Sequence, residues 1–491
     1  MLDGDTRGLV TATAISFGAV ALLAVAETGD YAPRIVAPLA MLIALACVSF
    51  AFVSYQRLLS WPSLIGLIVF VILFIPIKRY SLPSSLPFQL EPYRVIVFLV
   101  CVAWGASLLI DRSVRVRRSV LDGPMLVYVI AIVLSLLANL NRVGGLSQDV
   151  TKSLIFFSSF LLVYYLLVSV LRRARDVDFV VRCLTVGGLV LAISGIFEAR
   201  TGYNVFSHLS RVMPFLKYNP GEDVLLRGGH FRAVGSAQHP IAFGAALVML
   251  IPLAVYRAQL TRRRFWWLAA FVFVLAALAT GSRTAVTMLL MMTVVYFVFQ
   301  RRQLKRMWPA LLPALIVIHV AAPGTLGTAV YSFFPSGGIV AQQQDAAVGS
   351  ARLTTLGPVL HNEVAPDPVF GEGFATRITT PSPTTPIPNA PITDDQWLGS
   401  LAETGIVGAG ALLWLLIRFF RKCQRAAASD PSPRRFLLAA AAAAVSSYGI
   451  GMLTYDAFSF IQVTIIFFVV LALGAAALKI PPAEWQQLVA R

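Results

Sequence analysis

The chain has 491 residues, of which 58% are hydrophobic and only 13% charged, and its 40 Lys and Arg against 23 Asp and Glu give a net charge of +17. A soluble domain carries about 25% charged residues, so this composition excludes a cytosolic enzyme, and the high apolar content excludes a disordered chain. The basic residues stand in short clusters between long apolar runs, which indicates membrane topology rather than nucleic-acid binding.

Apolar runs long enough to cross a bilayer follow one another along the chain. A membrane-spanning helix needs about 20 mostly apolar residues. We count about fourteen such runs, at 8–26, 33–54, 62–77, 93–111, 123–139, 150–170, 177–197, 240–257, 264–280, 282–299, 307–322, 397–417, 436–454 and 458–478. The sequence therefore predicts an all-α polytopic membrane protein with about 14 transmembrane helices. Residues 1–7 lack the basic region of a cleaved signal peptide, so we expect the first run to remain as an anchor.

Basic residues occupy alternate loops between these runs. They are Arg57; Arg112, Arg115, Arg117 and Arg118; Arg172, Arg173 and Arg175; Arg262, Arg263 and Arg264; Arg301, Arg302, Lys305 and Arg306; and Arg418, Arg421, Lys422 and Arg425. This positive-inside pattern predicts that both termini lie in the cytoplasm. Lys78 and Arg79 depart from the pattern, and we interpret them as residues that snorkel to the interface.

The predicted topology divides the chain into five parts. These are N-terminal transmembrane helices (1–197), a first outer segment (198–239), central transmembrane helices (240–322), a large outer loop (323–396) and C-terminal transmembrane helices (397–491). The large loop contains a Pro/Thr/Ser stretch at 379–388 that cannot stay helical. A loop of this length is commonly a lid, a binding loop or a flexible segment. Function is therefore expected on the outer face. The four cysteines lie outside both outer segments, so no disulfide framework is implied.

Several cations fall on the predicted outer side, where the positive-inside pattern leaves them unexplained. They are Arg200, Arg211, Lys217, Arg227, Arg232, Arg283, Arg352 and Arg377. Arg283 interrupts an apolar stretch at 265–299, so it is expected at a tight outer turn. A helix beginning at Ser282 would direct free N–H groups outward, and with the guanidinium these suit a phosphate. The alternative is that Arg283 snorkels to headgroups or pairs with a carboxylate.

Arg232 lies in the stretch FRAVGSAQHP at 231–240, immediately before the eighth run. Pro240 suits the first turn of a helix, so Arg232, Gln238 and His239 are expected to cluster at its outer end. For His239, a satisfied interfacial histidine is the alternative to a substrate contact. No second His or Cys stands at metal-ligand spacing, so no metal site is predicted.

The large outer loop ends in the stretch DDQWLGSLAETG at 394–405. Asp394 and Asp395 could simply cap a helix. A carboxylate that faces a cationic, phosphate-holding pocket is instead suited to activating a hydroxyl nucleophile. Trp397 could stack on a sugar ring, although aromatic belts place Trp at this depth as well.

Three separated segments together resemble the O-antigen ligase and O-antigen polymerase superfamily. They are 232–240 (RAVGSAQHP), 280–283 (TGSR) and, after 370–374 (FGEGF), the stretch 394–405. The resemblance covers residues 225–415 and implies a GT-C-type glycosyltransferase on the outer face of the bacterial cytoplasmic membrane. In ligases of the family two arginines are thought to hold the lipid diphosphate, and they match Arg232 and Arg283. Asp394 and Asp395 stand where ligases have His and Asn, which favours the polymerase branch.

The resemblance and the residues together give a mechanism. Arg232 and Arg283, helped by Arg211 or Arg227, neutralise the diphosphate of an undecaprenyl-diphosphate-linked donor. Asp394 or Asp395 takes the proton of an acceptor sugar hydroxyl, and the reaction inverts the anomeric centre without a metal or cofactor. The remaining substrate contacts are assigned to Gln238, His239, Arg352, Arg377 and Trp397. Expected partners are lipid-linked glycans, membrane lipids and other polysaccharide export proteins, with no nucleic acid.

Two alternatives to a polymerase remain open at this point. A ligase would transfer a finished glycan to another acceptor, and nothing in the sequence identifies that acceptor. A transporter of lipid-linked sugars would also have many helices, but transporters often show repeated halves and polar groups near the bilayer midplane. The chain shows no convincing internal repeat, and its polar residues gather in the two outer segments. This distribution favours an outer-face enzyme.

Overall fold

A computed structural model describes residues 60–83, 90–111, 114–220, 226–227, 230–307, 352–377 and 394–488. The predicted runs at 8–26 and 33–54, nearly all of the run at 307–322, and the Pro/Thr/Ser stretch at 379–388 lie outside the described residues. The other predicted runs each correspond to a helix.

The described residues are mostly helical. The helices are α1 (Trp61–Phe74), α2 (Pro92–Ile110), α3 (Asp122–Ala138), α4 (Leu140–Gly145), α5 (Ser147–Val170), α6 (Ala174–Thr201), α7 (Pro240–Thr261), α8 (Arg264–Ala279), α9 (Arg283–Met307), α10 (Arg352–Val359), α11 (Gln396–Ala428), α12 (Arg434–Gly451), α13 (Ile461–Lys479) and α14 (Pro482–Gln487). Short 3-10 turns cover Val205–Arg211 and Ala457–Ser459, and a π turn covers Leu360–Val364. Two-residue strands form two antiparallel pairs, β1 (Tyr80–Ser81) with β2 (Lys217–Tyr218) and β3 (Leu226–Arg227) with β4 (His230–Phe231).

The lengths and compositions of these helices fit a membrane protein. Within the described residues, seven helices are long and apolar enough to cross a bilayer: α2, α5, α6, α7, α9 as far as Gln300, α11 and α13. Three shorter helices, α1, α3 and α8, are also apolar. The predicted class, an all-α membrane protein, is therefore confirmed.

The interior of the bundle is formed by α7 and α13, which are buried along almost their whole length. Around them pack α5, α8, α9 and α12. A polar side chain also enters this core: Gln462 of α13 is 3% exposed, and its amide donates to Ile72 O at 2.7 Å and Ser236 Oγ at 3.0 Å. Gln462 thus joins the end of α1 to the segment that precedes α7.

One end of the bundle, which we call the loop face, collects the described segments 75–83, 202–220, 226–227, 230–239, 281–282, 394–395 and 452–460. Backbone hydrogen bonds join these segments, as in the bond from Asn219 N to Arg79 O at 2.8 Å and that from Gln396 N to Met452 O at 2.8 Å. Because successive helices alternate in direction, chain segments far apart in sequence meet here.

Candidate active site on the loop face

A buried carboxylate of α6 holds the segment 232–239. Glu198 is 4% exposed, and its Oε2 accepts hydrogen bonds from the backbone N–H groups of Val234 at 3.1 Å and Gly235 at 2.7 Å. Its Oε1 accepts from the Asn204 amide at 2.9 Å, which also donates to Gly235 O at 2.9 Å. These bonds fix the backbone just after the predicted arginine. Glu198 was not singled out from the sequence, although its position directly after an apolar run could have indicated a functional or structural role.

Arg232 lies against the turn between α8 and α9. Its Nε donates to Thr280 O at 2.9 Å. Gly281 has a φ of 60°, a conformation that glycine adopts without the steric cost of a Cβ, and it lets the chain reverse before α9 begins at Arg283. The two arginine segments that the sequence associates with a phosphate are therefore adjacent.

Two buried polar atoms beside these segments have no hydrogen-bond partner among the described residues. They are the hydroxyl oxygen of Ser282, a residue that is 4% exposed, and the amide nitrogen of Gln238. Buried polar atoms are nearly always hydrogen-bonded in folded proteins. An oxygen-rich ligand between the two segments would satisfy both.

His239 caps the start of α7. Its Nδ1 accepts a hydrogen bond from the Ile241 N–H at 3.2 Å, and its ring lies 5.9 Å from that of Phe460. Burial lowers the pKa of His239 to about 4, and the charge of Arg232 contributes in the same direction. The imidazole is therefore neutral at pH 7, with Nδ1 as an acceptor, and Nε2 is the nitrogen that carries the proton.

Asp395 is the N-cap of α11. Its Oδ1 accepts from the N–H groups of Trp397 at 2.8 Å and Leu398 at 3.1 Å. The capping role weighed in the sequence is thus present at Asp395. Trp397 packs inward, where its Nε1 donates to Gly449 O at 2.9 Å. Asp394 directly precedes this cap residue.

Helix α11 is broken at Gly405, where φ is 63° and ψ is −167°. The segment 367–377 docks into the break: Ile406 N donates to Pro368 O at 2.9 Å, and Glu372 N donates to Ala402 O at 2.8 Å. Arg377, in the same described stretch, lies beside the N-terminal half of α11, where a Cβ at Gly399 would lie 3.1 Å from its Nη1.

Arg377 forms a buried ion pair. Its Nε lies 3.1 Å from Glu363 Oε2, and the two side chains are 9% and 8% exposed. A second ion pair of the same segment joins Arg142 to Glu372 at 3.0 Å. The guanidinium of Arg377 thus lies in an ion pair within the protein, and its assignment as a substrate-binding residue stays a prediction.

The loop 452–460, which follows α12, contacts all three predicted motifs. Thr454 shares a hydrogen bond of 2.7 Å with Thr284, next to Arg283. Phe458 N donates to Gln396 Oε1 at 2.7 Å, and Phe460 contacts His239. Sequence reasoning assigned this loop no role, because it treated the few residues between two apolar runs as a short connection.

Asp456 lies at the centre of this loop. Burial raises its pKa, as does the charge of Asp394, whereas the Ser459 hydroxyl, Arg377 and Lys78 act in the opposite direction. Asp456 therefore sits among the charged groups at the start of α11 and is a candidate proton acceptor that the sequence analysis missed. The available signal was an acidic residue in a predicted outer loop.

Three other predicted residues stand in short elements of the described chain. Arg211 ends the 3-10 turn Val205–Arg211 and is exposed, and Arg227 stands in the β3–β4 hairpin opposite His230. Arg352 begins α10. The roles assigned to these three residues stay predictions.

The segment after α1 packs against the chain that follows α6. Tyr80 is fully buried, its hydroxyl donates to Phe206 O at 2.8 Å, and it accepts from Leu209 N at 3.0 Å. Arg79 lines a small cavity together with Asn204 and Gly235. Because these residues pack on the segments 202–220 and 230–239, Arg79 lies beside the site, and the snorkelling of Lys78 and Arg79 stays a prediction.

Within the described residues, no group of three or more His, Cys, Asp or Glu side chains is arranged to hold a metal ion. The chemistry available at the loop face is that of guanidinium groups, carboxylates and hydrogen-bond donors.

No protein-family model matches the chain, and no curated protein matches it at a significant level.

Proposed function

We propose that the protein is a membrane glycosyltransferase that polymerises undecaprenyl-diphosphate-linked repeat units on the outer face of a bacterial cytoplasmic membrane. Under this proposal the fold is of the GT-C type, with about fourteen spans, cytoplasmic termini and an outward-facing loop face. The observation that carries the proposal is the contact of Arg232 with the turn before Arg283. Beside it lie Ser282 and Gln238, whose polar atoms lack partners among the described residues.

In the proposed reaction, the acceptor sugar hydroxyl attacks the anomeric carbon of the donor. A glycosidic C–O bond forms and the bond from that carbon to the diphosphate oxygen breaks, so the electron pair leaves with the lipid diphosphate. Arg232 and Arg283 neutralise this leaving group. The hydroxyl proton passes to a carboxylate, for which Asp394 and Asp456 are the candidates because Asp395 is committed to the helix cap. Attack opposite the leaving group inverts the anomeric centre.

The assignment of Arg283 is tested in membranes supplied with a lipid-linked repeat unit. We expect Arg283→Ala to abolish polymer growth, because a developing diphosphate charge loses one of its two cations. Arg264→Ala is the matched control, since Arg264 begins α8 at the opposite end of the bundle and is exposed. Normal polymer length from Arg283→Ala would contradict the proposal.

The class of enzyme is tested with purified protein and the lipid-linked repeat unit alone. A ladder of lengthening lipid-linked products supports a polymerase. A reaction that starts only when a second acceptor is added indicates a ligase. Movement of the lipid-linked sugar across a vesicle membrane without new glycosidic bonds indicates a transporter.

A further inference from the structure

A second set of cations lies on the loop face, away from the two arginine segments already described. Lys78 follows α1, Arg94 lies in the first turn of α2, and Lys152 lies in the first turns of α5. We call these three residues the second cationic group. Sequence reasoning explained only Lys78, as an interfacial residue, and assigned nothing to the other two.

Packing brings Arg94 and Lys152 together. The Arg94 guanidinium lies 4.8 Å from the centre of the Phe156 ring of α5 and 5.9 Å from that of Tyr93. Lys152 precedes Phe156 by one helical turn, so the two side chains share a face of α5. The aromatic rings hold the planar guanidinium beside the lysine.

A backbone pairing brings Lys78 to the same place. Leu82 N donates to Leu90 O at 2.8 Å, which folds the chain after α1 back onto the start of α2. Glu91, 3% exposed, lies there and pairs with Arg94 at 3.6 Å. Lys78 itself has a φ of 65°, a conformation unfavourable for a residue with a side chain. Such strain persists only where the surrounding structure imposes it.

The charge of the group is only partly compensated. Lys152 and Arg94 both act electrostatically on Lys78, as do Glu91 and Asp456 with the opposite sign. Three cations thus surround one buried carboxylate, and Lys78 and Lys152 are exposed on the loop face. Asp456 connects this group to the proposed reaction centre, because its charge is also coupled to Asp394 and Arg377.

We propose that the second cationic group binds the diphosphate of the acceptor lipid, while Arg232 and Arg283 hold that of the donor. This inference rests on the proposed function, since a polymerase that joins two lipid-linked chains must hold two anionic lipid headgroups at once. Arg94 offers the planar fork suited to phosphate oxygens and the lysines supply point charges. Asp456 feels the charge of Lys78, and its loop bonds to Thr284 beside Arg283, so we place the deprotonation of the acceptor hydroxyl at Asp456.

Binding is measured with radiolabelled undecaprenyl diphosphate and the full-length protein in nanodiscs of phosphatidylcholine. We expect two molecules bound per protein, and one in the triple variant Lys78→Gln/Arg94→Gln/Lys152→Gln. The double variant Arg232→Gln/Arg283→Gln is also expected to bind one. The control Arg115→Gln/Arg175→Gln/Arg421→Gln removes three exposed cations at the opposite end of the bundle and should leave two. Lys78→Gln/Lys152→Gln, which keeps the packed Arg94, should weaken the second site if the triple variant fails to fold.

Two outcomes would overturn the inference. One is unchanged binding of two molecules by both the triple and the Lys78→Gln/Lys152→Gln variants. The other is displacement of one bound diphosphate by excess phosphatidylglycerol, which would make the group a general site for anionic phospholipid headgroups. A wild-type protein that binds two diphosphates but forms no polymer would contradict the proposed function and leave the second site standing.

Discussion

His239 and Asp395 act in the same way at the starts of two helices, each accepting hydrogen bonds from N–H groups of the first turn. The sequence suggested capping for Asp395 and a satisfied interfacial position for His239, and it suggested a chemical role for each as well. Local pattern cannot separate the two roles, because a side chain that caps a helix and one that meets a substrate occupy the same position in sequence. The direction of the side chain and its burial decide between them.

The neutral state of His239 predicts a dependence of stability on pH. The pKa of this residue is about 4 in the folded protein and about 6.5 in an unfolded chain, so between these values the unfolded state binds the additional proton. The stabilising contribution is therefore present above about pH 6.5 and is lost as the pH falls toward the folded pKa. Asn is also a good helix cap, so His239→Asn should lose less thermal stability than wild type between neutral and acidic pH. Equal losses in detergent-solubilised wild type and variant would contradict this.

The buried pair of Arg377 and Glu363 predicts a second effect at the residue scale. Arg377→Met alone leaves a buried carboxylate without its partner and should cost about 3–5 kcal/mol of unfolding free energy. The double variant Arg377→Met/Glu363→Met should regain most of that stability, because no buried charge is left without a partner. A double variant that unfolds as easily as Arg377→Met, measured by denaturation in detergent, would contradict this.

At the scale of elements, the break in α11 determines where the segment 367–377 packs. A continuous helix from Gln396 to Ala428 would leave no free backbone groups for the docked segment 367–377. The glycine at the break makes them available, and the docked segment then brings Glu372 and Arg377 to the N-terminal half of the helix. The sequence predicted one apolar run here and did not predict the break, since a single glycine in an apolar run is compatible with an intact helix.

The break predicts a strong and local effect of substitution. A Cβ at Gly405 would lie 2.1 Å from Val369 O, and the residue has a φ of 63°, so Gly405→Ala should cost more than about 2 kcal/mol through strain and displacement of the docked segment. The control is Gly410→Ala on the same helix, where nothing lies within 4 Å of the added Cβ. That substitution should be neutral or stabilising by about 0.5–1 kcal/mol. Comparable melting temperatures for the two variants would contradict the assignment.

At the scale of the whole molecule, the loop 452–460 joins the segments that the sequence associates with chemistry. It bonds to Thr284 and Gln396 and contacts His239, although these residues are separated by long stretches of chain. Asp456 is thereby placed close enough to feel both Asp394 and Arg377. A loop this short reaches three motifs only because α12 and α13 carry it to the centre of the loop face.

The raised pKa of Asp456 predicts the pH profile of the proposed activity. A base must be deprotonated, so the acid limb of the rate should lie above the ordinary Asp range of about 3.9. Asp456→Asn should reduce turnover by roughly 10²–10⁴ and remove that limb, as expected for loss of a general base. Asp394→Asn is the comparison, because its carboxylate is the other candidate. An unchanged rate and profile in Asp456→Asn would leave Asp394 as the base.

The sequence by itself determined the helices, because burial in an apolar environment requires long uninterrupted apolar runs, and these are visible without any tertiary information. It also identified Arg232 and Arg283 as exceptions to the charge pattern, and Asp394 as a candidate proton acceptor. The tertiary structure decided which side chains lie together. Glu198 holds the Arg232 segment, the break in α11 receives the segment that contains Arg377, and the loop 452–460 adds Asp456. These arrangements depend on contacts between residues far apart in sequence, on hydrogen bonds of the backbone and on burial, none of which is encoded in the period or composition of a single segment.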